Sequence, residues 1–155
     1  MMPGSDIPPC MISIDREGRW YHKGAEMIHR EIIRLFYDHM SMDPMGRYII
    51  EWADERCYVE AEDTAFVVRG VTPKGIDGEG LHGFQLLLSD DTVEALQPET
   101  LSVGKDHVLY CRVKGRFPAR FTRPAYYQLA AHVEEEGGRY YLPLGGTKYW
   151  IHRPK

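Results

Sequence analysis

The sequence has few cysteines, no long apolar run and no excess of positive charge. Its three cysteines, Cys10, Cys57 and Cys111, lie far apart and form no CxxC pair, which excludes a zinc or thioredoxin-like framework. We expect them to be thiols in a reducing compartment. No apolar segment approaches the roughly 20 residues that span a bilayer, and the start MMPGSDIPPC lacks the pattern of a secretory signal. We therefore predict a cytoplasmic protein with no membrane partner.

Charge and motif content exclude further classes of protein. The net charge of −4 argues against a dedicated nucleic-acid binder. The seven histidines are scattered, so we expect no metal site. No serine lies in a nucleophile elbow, and no glycine pattern suits a phosphate loop. We expect no cofactor, and whether the protein is an enzyme stays open, with a non-catalytic role favoured.

The residues that are present predict an α+β fold. Alternating and turn-bounded segments predict strands, in the order hairpin, helix and meander. The glycine-rich segment GVTPKGIDGEGLHG separates two such groups, either as a linker or as a hairpin tip inside one sheet. The predicted divisions are a tail over 1–10, an N-terminal half over 11–71, a linker or loop over 72–82, and a C-terminal half over 83–155.

Two helices are predicted, one in each half. Apolar residues spaced by three and four predict an amphipathic helix over about 28–40. Thr122 is a suitable N-cap for the second helix, and Pro124 suits its first turn. The apolar stripe of the first helix consists of Ile28, Ile32, Leu35, Phe36 and Met40.

The two helix regions share residues at offsets of 91 to 93 positions. Either the chain is an internal duplication, or two unrelated segments use ordinary turn residues. If it is a duplication, the halves would pack together and leave a crevice of the kind that binds ligands. The matched residues are Lys23-Gly24 with Lys114-Gly115, Arg30 with Arg123, His39 with His132, and Gly46-Arg47-Tyr48 with Gly138-Arg139-Tyr140.

Several segments resemble the bacterial domain of unknown function 1285 family. They are IDREGRW (Ile14–Trp20), Gly46-Arg47-Tyr48, YVEAEDTAF (Tyr58–Phe66), RPAYY (Arg123–Tyr127) and LPLG (Leu142–Gly145). The sequence departs from the family at Ala65, where the family has proline, at Trp52–Glu55, where only Glu55 of a T-P-x-E stretch is retained, and at Leu87-Leu88.

The resemblance implies two similar β-meander units, each with one covering helix. It also implies that the second half superficially resembles a pleckstrin-homology fold. A small, nucleotide-like ligand would bind at the interface of the halves, and the role would be in signalling. No activity follows from the resemblance.

The residues themselves suggest an anion site at the second helix. Arg123 is expected in the first helical turn, where the dipole disfavours a cation unless an anion binds beside it. The opposing interpretation is that the arginines pair with acids such as Glu134 and Glu135, and that the aromatic residues pack in the core. The predicted ligand-binding residues are Arg30, Arg34, Glu55, Arg120, Arg123, Tyr126 and Tyr140.

Three functional hypotheses follow. The first is a non-catalytic protein that binds a small anionic metabolite or nucleotide between related halves. The second is a protein-interaction module that accepts a partner segment at an exposed strand edge. The third is an enzyme that acts on a phosphorylated substrate, which needs Glu55 to meet Asp63 across a hairpin. All three hypotheses are compatible with a homo-oligomer.

Overall fold

The computed structural model describes residues 7–153, so most of the predicted tail lies outside the described residues. The chain divides into unit 1, Met1–Ala65, and unit 2, Phe66–Lys155. Residues 66–71 were predicted to belong to the N-terminal half, whereas they belong to unit 2 in the structure. Neither of the described helices is long and apolar enough to cross a membrane.

Unit 1 is a six-stranded mixed sheet with one helix. The strand order is β3-β2-β1-β6-β5-β4, and every neighbouring pair is antiparallel except β1 with β6, which is parallel. The elements are β1 (Pro9–Ile14), β2 (Trp20–His22), β3 (Ala25–Glu26), α1 (Arg30–Asp38), β4 (Met40–Met42), β5 (Tyr48–Trp52) and β6 (Glu55–Ala61).

Helix α1 is shorter than predicted, and a different face of it is buried. The buried residues are Ile33 and Tyr37, four apart, and the Tyr37 ring lies 4.8 Å from that of the fully buried Trp20. Ile28 precedes the helix and is 73% exposed, and Ile32 is 44% exposed. The predicted stripe was therefore wrong at these two positions, because packing against Trp20 decides which side turns inward.

Two tyrosine hydroxyls contact the backbone of Ala65 at the end of unit 1. The Tyr37 hydroxyl donates to the Ala65 carbonyl at 2.7 Å, and Ala65 is fully buried. Burial raises the pKa of Tyr48, while a hydrogen bond with the Ala65 backbone lowers it. These bonds satisfy polar groups that water does not reach.

Unit 2 contains a six-stranded mixed sheet, a three-stranded sheet and one helix. The strand orders are β10-β11-β12-β7-β8-β9, parallel only between β12 and β7, and β13-β14-β15, wholly antiparallel. The elements are β7 (Phe66–Asp77), β8 (Gly80–Leu88), β9 (Val93–Ala95), a 3₁₀ turn (Pro98–Thr100), β10 (Ser102–Val103), β11 (Leu109–Val113), β12 (Phe117–Phe121), α2 (Arg123–Ala130), β13 (Glu134–Glu136), β14 (Arg139–Leu144) and β15 (Thr147–Trp150).

The glycine-rich segment is a hairpin, which was the second of its two interpretations. Strands β7 and β8 pair out to Asp77 and Gly80, so residues 72–82 form the distal part of this hairpin. The Asp77 side chain accepts from the Glu79 N–H, and it also bonds His82. Local hydrogen bonds thus stabilise a turn that glycine content alone does not distinguish from a linker.

An internal repeat runs from β1 to β6 and again from β10 to β15. Each copy reads hairpin, helix and meander, with α1 and α2 in the same place. In the first copy β1 and β6 pair in parallel, and in the second Ser102 of β10 forms a parallel bridge with His152 beyond β15. The duplication is thus present in the strand order, with β7, β8 and β9 inserted between the copies.

Matching turns confirm the offset that the sequence predicted. Lys23-Gly24 and Lys114-Gly115 both have positive φ, at 50° and 86° in the first turn and 52° and 86° in the second. The turns Ala53-Asp54 and Gly145-Gly146 also have positive φ throughout. Such pairs are typical of two-residue hairpin turns whose twist suits the strands, so the repeat extends to backbone conformation.

A disulfide joins Cys10 on β1 to Cys57 on β6, which corrects the expectation of free thiols. Parallel pairing of β1 with β6 brings the two Cα atoms to 4.9 Å across 47 residues of sequence. Cys111 is a buried free thiol, and burial raises its pKa to about 12. The sequence spacing held no sign of the pair, because the strands that bring it together are far apart in the chain.

This assignment predicts how many thiols react with Ellman's reagent. We expect none in the native, non-reduced protein, because Cys111 is 2% exposed and its thiolate is suppressed. Unfolding in guanidinium should release one thiol, and unfolding with reduction should release all three. Two reactive thiols in the native, non-reduced protein would contradict the disulfide.

The bond between Tyr37 and Ala65 predicts a loss of stability for Tyr37→Phe. Removing the hydroxyl leaves a buried carbonyl without this donor, which costs about 1–3 kcal/mol. The matched control is Tyr127→Phe, because Tyr127 is 61% exposed and a surface change of this size stays within about 0.5 kcal/mol. Equilibrium urea unfolding measures both, and equal values for the two variants would refute the argument.

Candidate functional site

Two adjoining cavities in unit 2 contain most of the predicted site residues. The first, which we call the arginine cavity, has a volume of about 260 Å³ and includes Arg120, Arg123 and Tyr126 in its lining. The remaining lining residues come from the β10–β11 connection, the start of β11, the end of β12 and the first half of α2. They are Asp106, His107, Val108, Leu109, Phe121 and Tyr127.

The second, which we call the tyrosine cavity, has a volume of about 490 Å³. It shares His107, Leu109 and Tyr126 with the arginine cavity, so the two adjoin along these side chains. Tyr140, which is 41% exposed, lines it, and the Arg153 guanidinium lies 5.5 Å from the centre of the Tyr140 ring. The rest of the lining is mainly apolar: Val103, Ala130, Val133 and Ile151, with Glu135.

The start of α2 positions Arg123 at the rim of the arginine cavity. Thr122 is the N-cap, as predicted, and its hydroxyl accepts from the Ala125 N–H at 3.4 Å. Pro124 has no N–H, so Arg123 offers the remaining backbone donor of this turn. Only one free backbone N–H is therefore available at this helix start among the described residues, and recognition of an anion would depend on guanidinium groups.

Arg123 forms no ion pair within residues 7–153, although the Asp106 carboxylate lines the same cavity. The first turn of α2 contains no acidic residue, and within residues 7–153 the Arg123 side chain makes no ion pair or hydrogen bond. A cation at a helix N-terminus is disfavoured by about 0.3–1 kcal/mol. A bound anion would remove this penalty.

Of the two acids that the opposing interpretation assigned to the arginines, Glu134 has another partner, and so does the neighbouring Glu136. The Tyr141 hydroxyl donates to Glu134 at 3.1 Å, which raises the pKa of Tyr141. Lys148 bonds Glu136 at 2.6 Å, and this contact raises the pKa of Lys148. Pairing of Arg123 with Glu134 or Glu135 does not occur.

The β10–β11 connection brings Asp106 and His107 to the arginine cavity in a strained conformation. Their φ angles are 59° and 61°, and the Val108 N–H closes the turn by donating to the Lys105 carbonyl at 3.3 Å. Two consecutive residues with positive φ are the pattern of a type I′ turn, which favours Asn-Gly. Neither residue was predicted to line a site, because Asp-His is not a typical pair for this turn.

The remaining predicted residues lie in unit 1. Arg30 is the first residue of α1, Arg34 lies one turn further and is exposed, and Glu55 begins β6. The cavities of unit 2 therefore combine Arg120, Arg123, Tyr126 and Tyr140 alone.

The carboxylate pair required by the enzyme hypothesis does not form. Glu55 and Asp63 flank strand β6 at opposite ends, with Glu55 opposite Trp52 in the β5–β6 hairpin. An extended strand of this length spans about 20 Å. The two carboxylates are too far apart to share a proton or a substrate.

The fold of this chain is similar to that of solved protein structures. No family model matches the sequence, and no curated protein matches it. Two solved structures share the fold: a DUF1285 family protein from Silicibacter pomeroyi DSS-3 and one from Shewanella baltica OS155. The first aligns over 97% of this chain and 86% of its own with a TM-score of 0.76 and 18% identity. The second aligns over 78% and 91% with a TM-score of 0.63 and 15% identity.

These comparisons define a class of α+β protein with an internal repeat, which is the fold of DUF1285 family structures. The resemblance predicted from the residues is confirmed, and at these identities it establishes the fold. The family is one of unknown function, so the comparisons assign no ligand. The likeness to a pleckstrin-homology fold and the cytoplasmic location stay predictions.

The strained turn predicts that a more favourable sequence stabilises the protein. Changing Asp106→Asn together with His107→Gly should raise the free energy of unfolding by about 0.5–1 kcal/mol, because L residues in the left-handed region carry a penalty. Urea unfolding measures the gain, and Asp106→Asn alone separates the contribution of His107. Unchanged or lower stability of the double variant would argue against strain.

Proposed function

We propose that this protein binds a small anionic, nucleotide-like ligand in the arginine and tyrosine cavities of unit 2, without catalysis. The observation that carries the proposal is that Arg123, whose side chain makes no ion pair or hydrogen bond within residues 7–153, lines one cavity together with Arg120. A phosphate or carboxylate between these side chains would gain charge-assisted hydrogen bonds. The same anion would offset the unfavourable position of Arg123 at the helix start.

The adjoining cavity supports a ligand with a ring. Tyr126 borders both cavities, and Tyr140 borders the second. An anionic group at the arginines and a planar ring between tyrosines is the arrangement expected of a nucleotide-like molecule. The larger cavity, at about 490 Å³, is within the range of small-molecule sites.

The strain at Asp106 and His107 gives independent support. Left-handed non-glycine residues persist where the surrounding structure holds them, and they are frequent at ligand sites. His107 lines both cavities and adds a hydrogen-bonding side chain to the anion site. A binding role explains why the turn has Asp-His rather than a relaxed pair.

The interaction-module alternative receives less support. The outer strands of the six-stranded sheets are β3, β4, β9 and β10, each of only two or three residues. Strand β13, an edge of the small sheet, consists of three exposed glutamates. Short and charged edges oppose the addition of a partner strand.

Calorimetry with adenosine, AMP and ADP tests the proposal. We expect AMP and ADP to bind more tightly than adenosine, because only the nucleotides carry the anion that Arg123 recognises. Arg123→Ala should weaken nucleotide binding about ten- to hundredfold, the value of a charged hydrogen bond. Equal affinity of Arg123→Ala and the parent protein for AMP would overturn the assignment.

The matched control is Arg34→Ala. Arg34 is an exposed arginine on the other helix, and its side chain makes no ion pair or hydrogen bond within residues 7–153. Arg34→Ala changes the net charge by the same amount as Arg123→Ala, but Arg34 does not line the arginine cavity. We therefore expect the affinity of this variant for AMP to be unchanged. Equal losses in both variants would show that overall charge, and not the arginine cavity, attracts the ligand.

A further inference from the structure

Unit 1 has a cavity of its own, which we call the disulfide cavity. Its volume is about 460 Å³, and it shares no residue with the cavities of unit 2. Most of its surface is apolar, from Pro8, Pro9, Met27, Phe36, Ile50 and Trp52. The Cys10–Cys57 disulfide forms part of its wall. The size suits a compact organic molecule.

The two aromatic rings of this cavity are supported from outside it. Trp52 is 47% exposed, and its ring contacts the His39 ring edge to face, with centroids 4.7 Å apart. The His39 ring in turn bonds the Leu35 carbonyl at 2.9 Å. Phe36 stacks on the buried Trp20 at 6.2 Å. The rings are therefore held in place while their free surfaces border the cavity.

The disulfide links β1 to β6 at one wall of the cavity. Pro8 precedes β1 and Pro9 begins it, and neither residue has a backbone N–H to donate; Met11 has a φ of 63°. The register between β1 and β6 is irregular between Pro9 and Ser13. The Tyr58 N–H bonds the Pro8 carbonyl at 2.9 Å, and the disulfide adds a covalent link at this end.

The acidic group in the lining of the disulfide cavity is the carboxylate of Glu55. The guanidinium of Arg56 and the imidazole of His22 also belong to the lining, whereas Glu51 and Asp54 of the same hairpin do not. Arg56 lies 3.9 Å from Glu51. Glu55 lines the cavity, and its side chain makes no ion pair or hydrogen bond within residues 7–153.

We propose that the disulfide cavity is a second binding site, which takes a small aromatic molecule bearing an ammonium group. The aromatic ring packs against Phe36 and Trp52, whose π faces also attract a cation. The ammonium group pairs with the Glu55 carboxylate. The predicted role of Glu55 in ligand binding is retained, but its partner is a cation rather than an anion.

Three probes with one ring test the charge preference on the oxidised, full-length protein. They are 2-phenylethylamine, 2-phenylethanol and phenylacetate, measured by calorimetry and by saturation-transfer NMR. We expect the amine to bind at least fivefold more tightly than the alcohol, and phenylacetate to bind weakest. Absence of binding by all three, or phenylacetate binding as tightly as the amine, would overturn the proposal.

Variants separate the carboxylate from the aromatic surface. Glu55→Gln should bring the affinity ratio of amine to alcohol close to one while the alcohol still binds, and Trp52→Leu should weaken both. Glu17→Gln, an exposed acid remote from the cavity lining, is the charge-matched control and should keep the ratio. An unchanged ratio in Glu55→Gln would refute the role of Glu55. Arg123→Ala should bind the amine normally, which distinguishes this site from that of unit 2.

Discussion

Parallel pairing between the first and last strands of the repeat is the interaction on which unit 1 depends. Strand β1 opens the repeat and β6 closes it, yet they are neighbours in the centre of the sheet. This pairing joins the hairpin to the meander and brings Cys10 to Cys57. Without it, each group would be a sheet of only three strands, the smallest number that independent stability requires.

The second copy of the repeat uses the same pairing in a weaker form. A single bridge between Ser102 and His152 replaces the paired strands, while the inserted β7 pairs with β12 in parallel. The β10–β12 hairpins thereby become part of a wider sheet, and β13–β15 form a sheet of their own. The strands of the first copy therefore form one sheet, whereas those of the second copy are divided between two sheets.

The two copies also differ in the charge that surrounds their helices. Arg30 and Arg123 begin α1 and α2, but α1 has Glu31 in its first turn whereas α2 has Pro124. In unit 2 the arginine lines a cavity with Arg120 and Asp106, and in unit 1 the disulfide cavity is lined by Glu55 and Arg56. The two copies of the repeat therefore carry different charged groups at their cavities, and the two proposed sites rest on this difference.

Local features were determined by the sequence alone. Most of the strands, the Thr122 cap and the turn pairs were predictable, because turn chemistry and side-chain alternation act over a few residues. The short strands β3, β4 and β13, of two or three residues each, were not predicted. Only the tertiary structure decided the buried face of α1, the disulfide and the meeting of His107 with Arg120 and Arg123. Each of these depends on pairing between distant strands or on packing against a distant side chain, which local patterns do not encode.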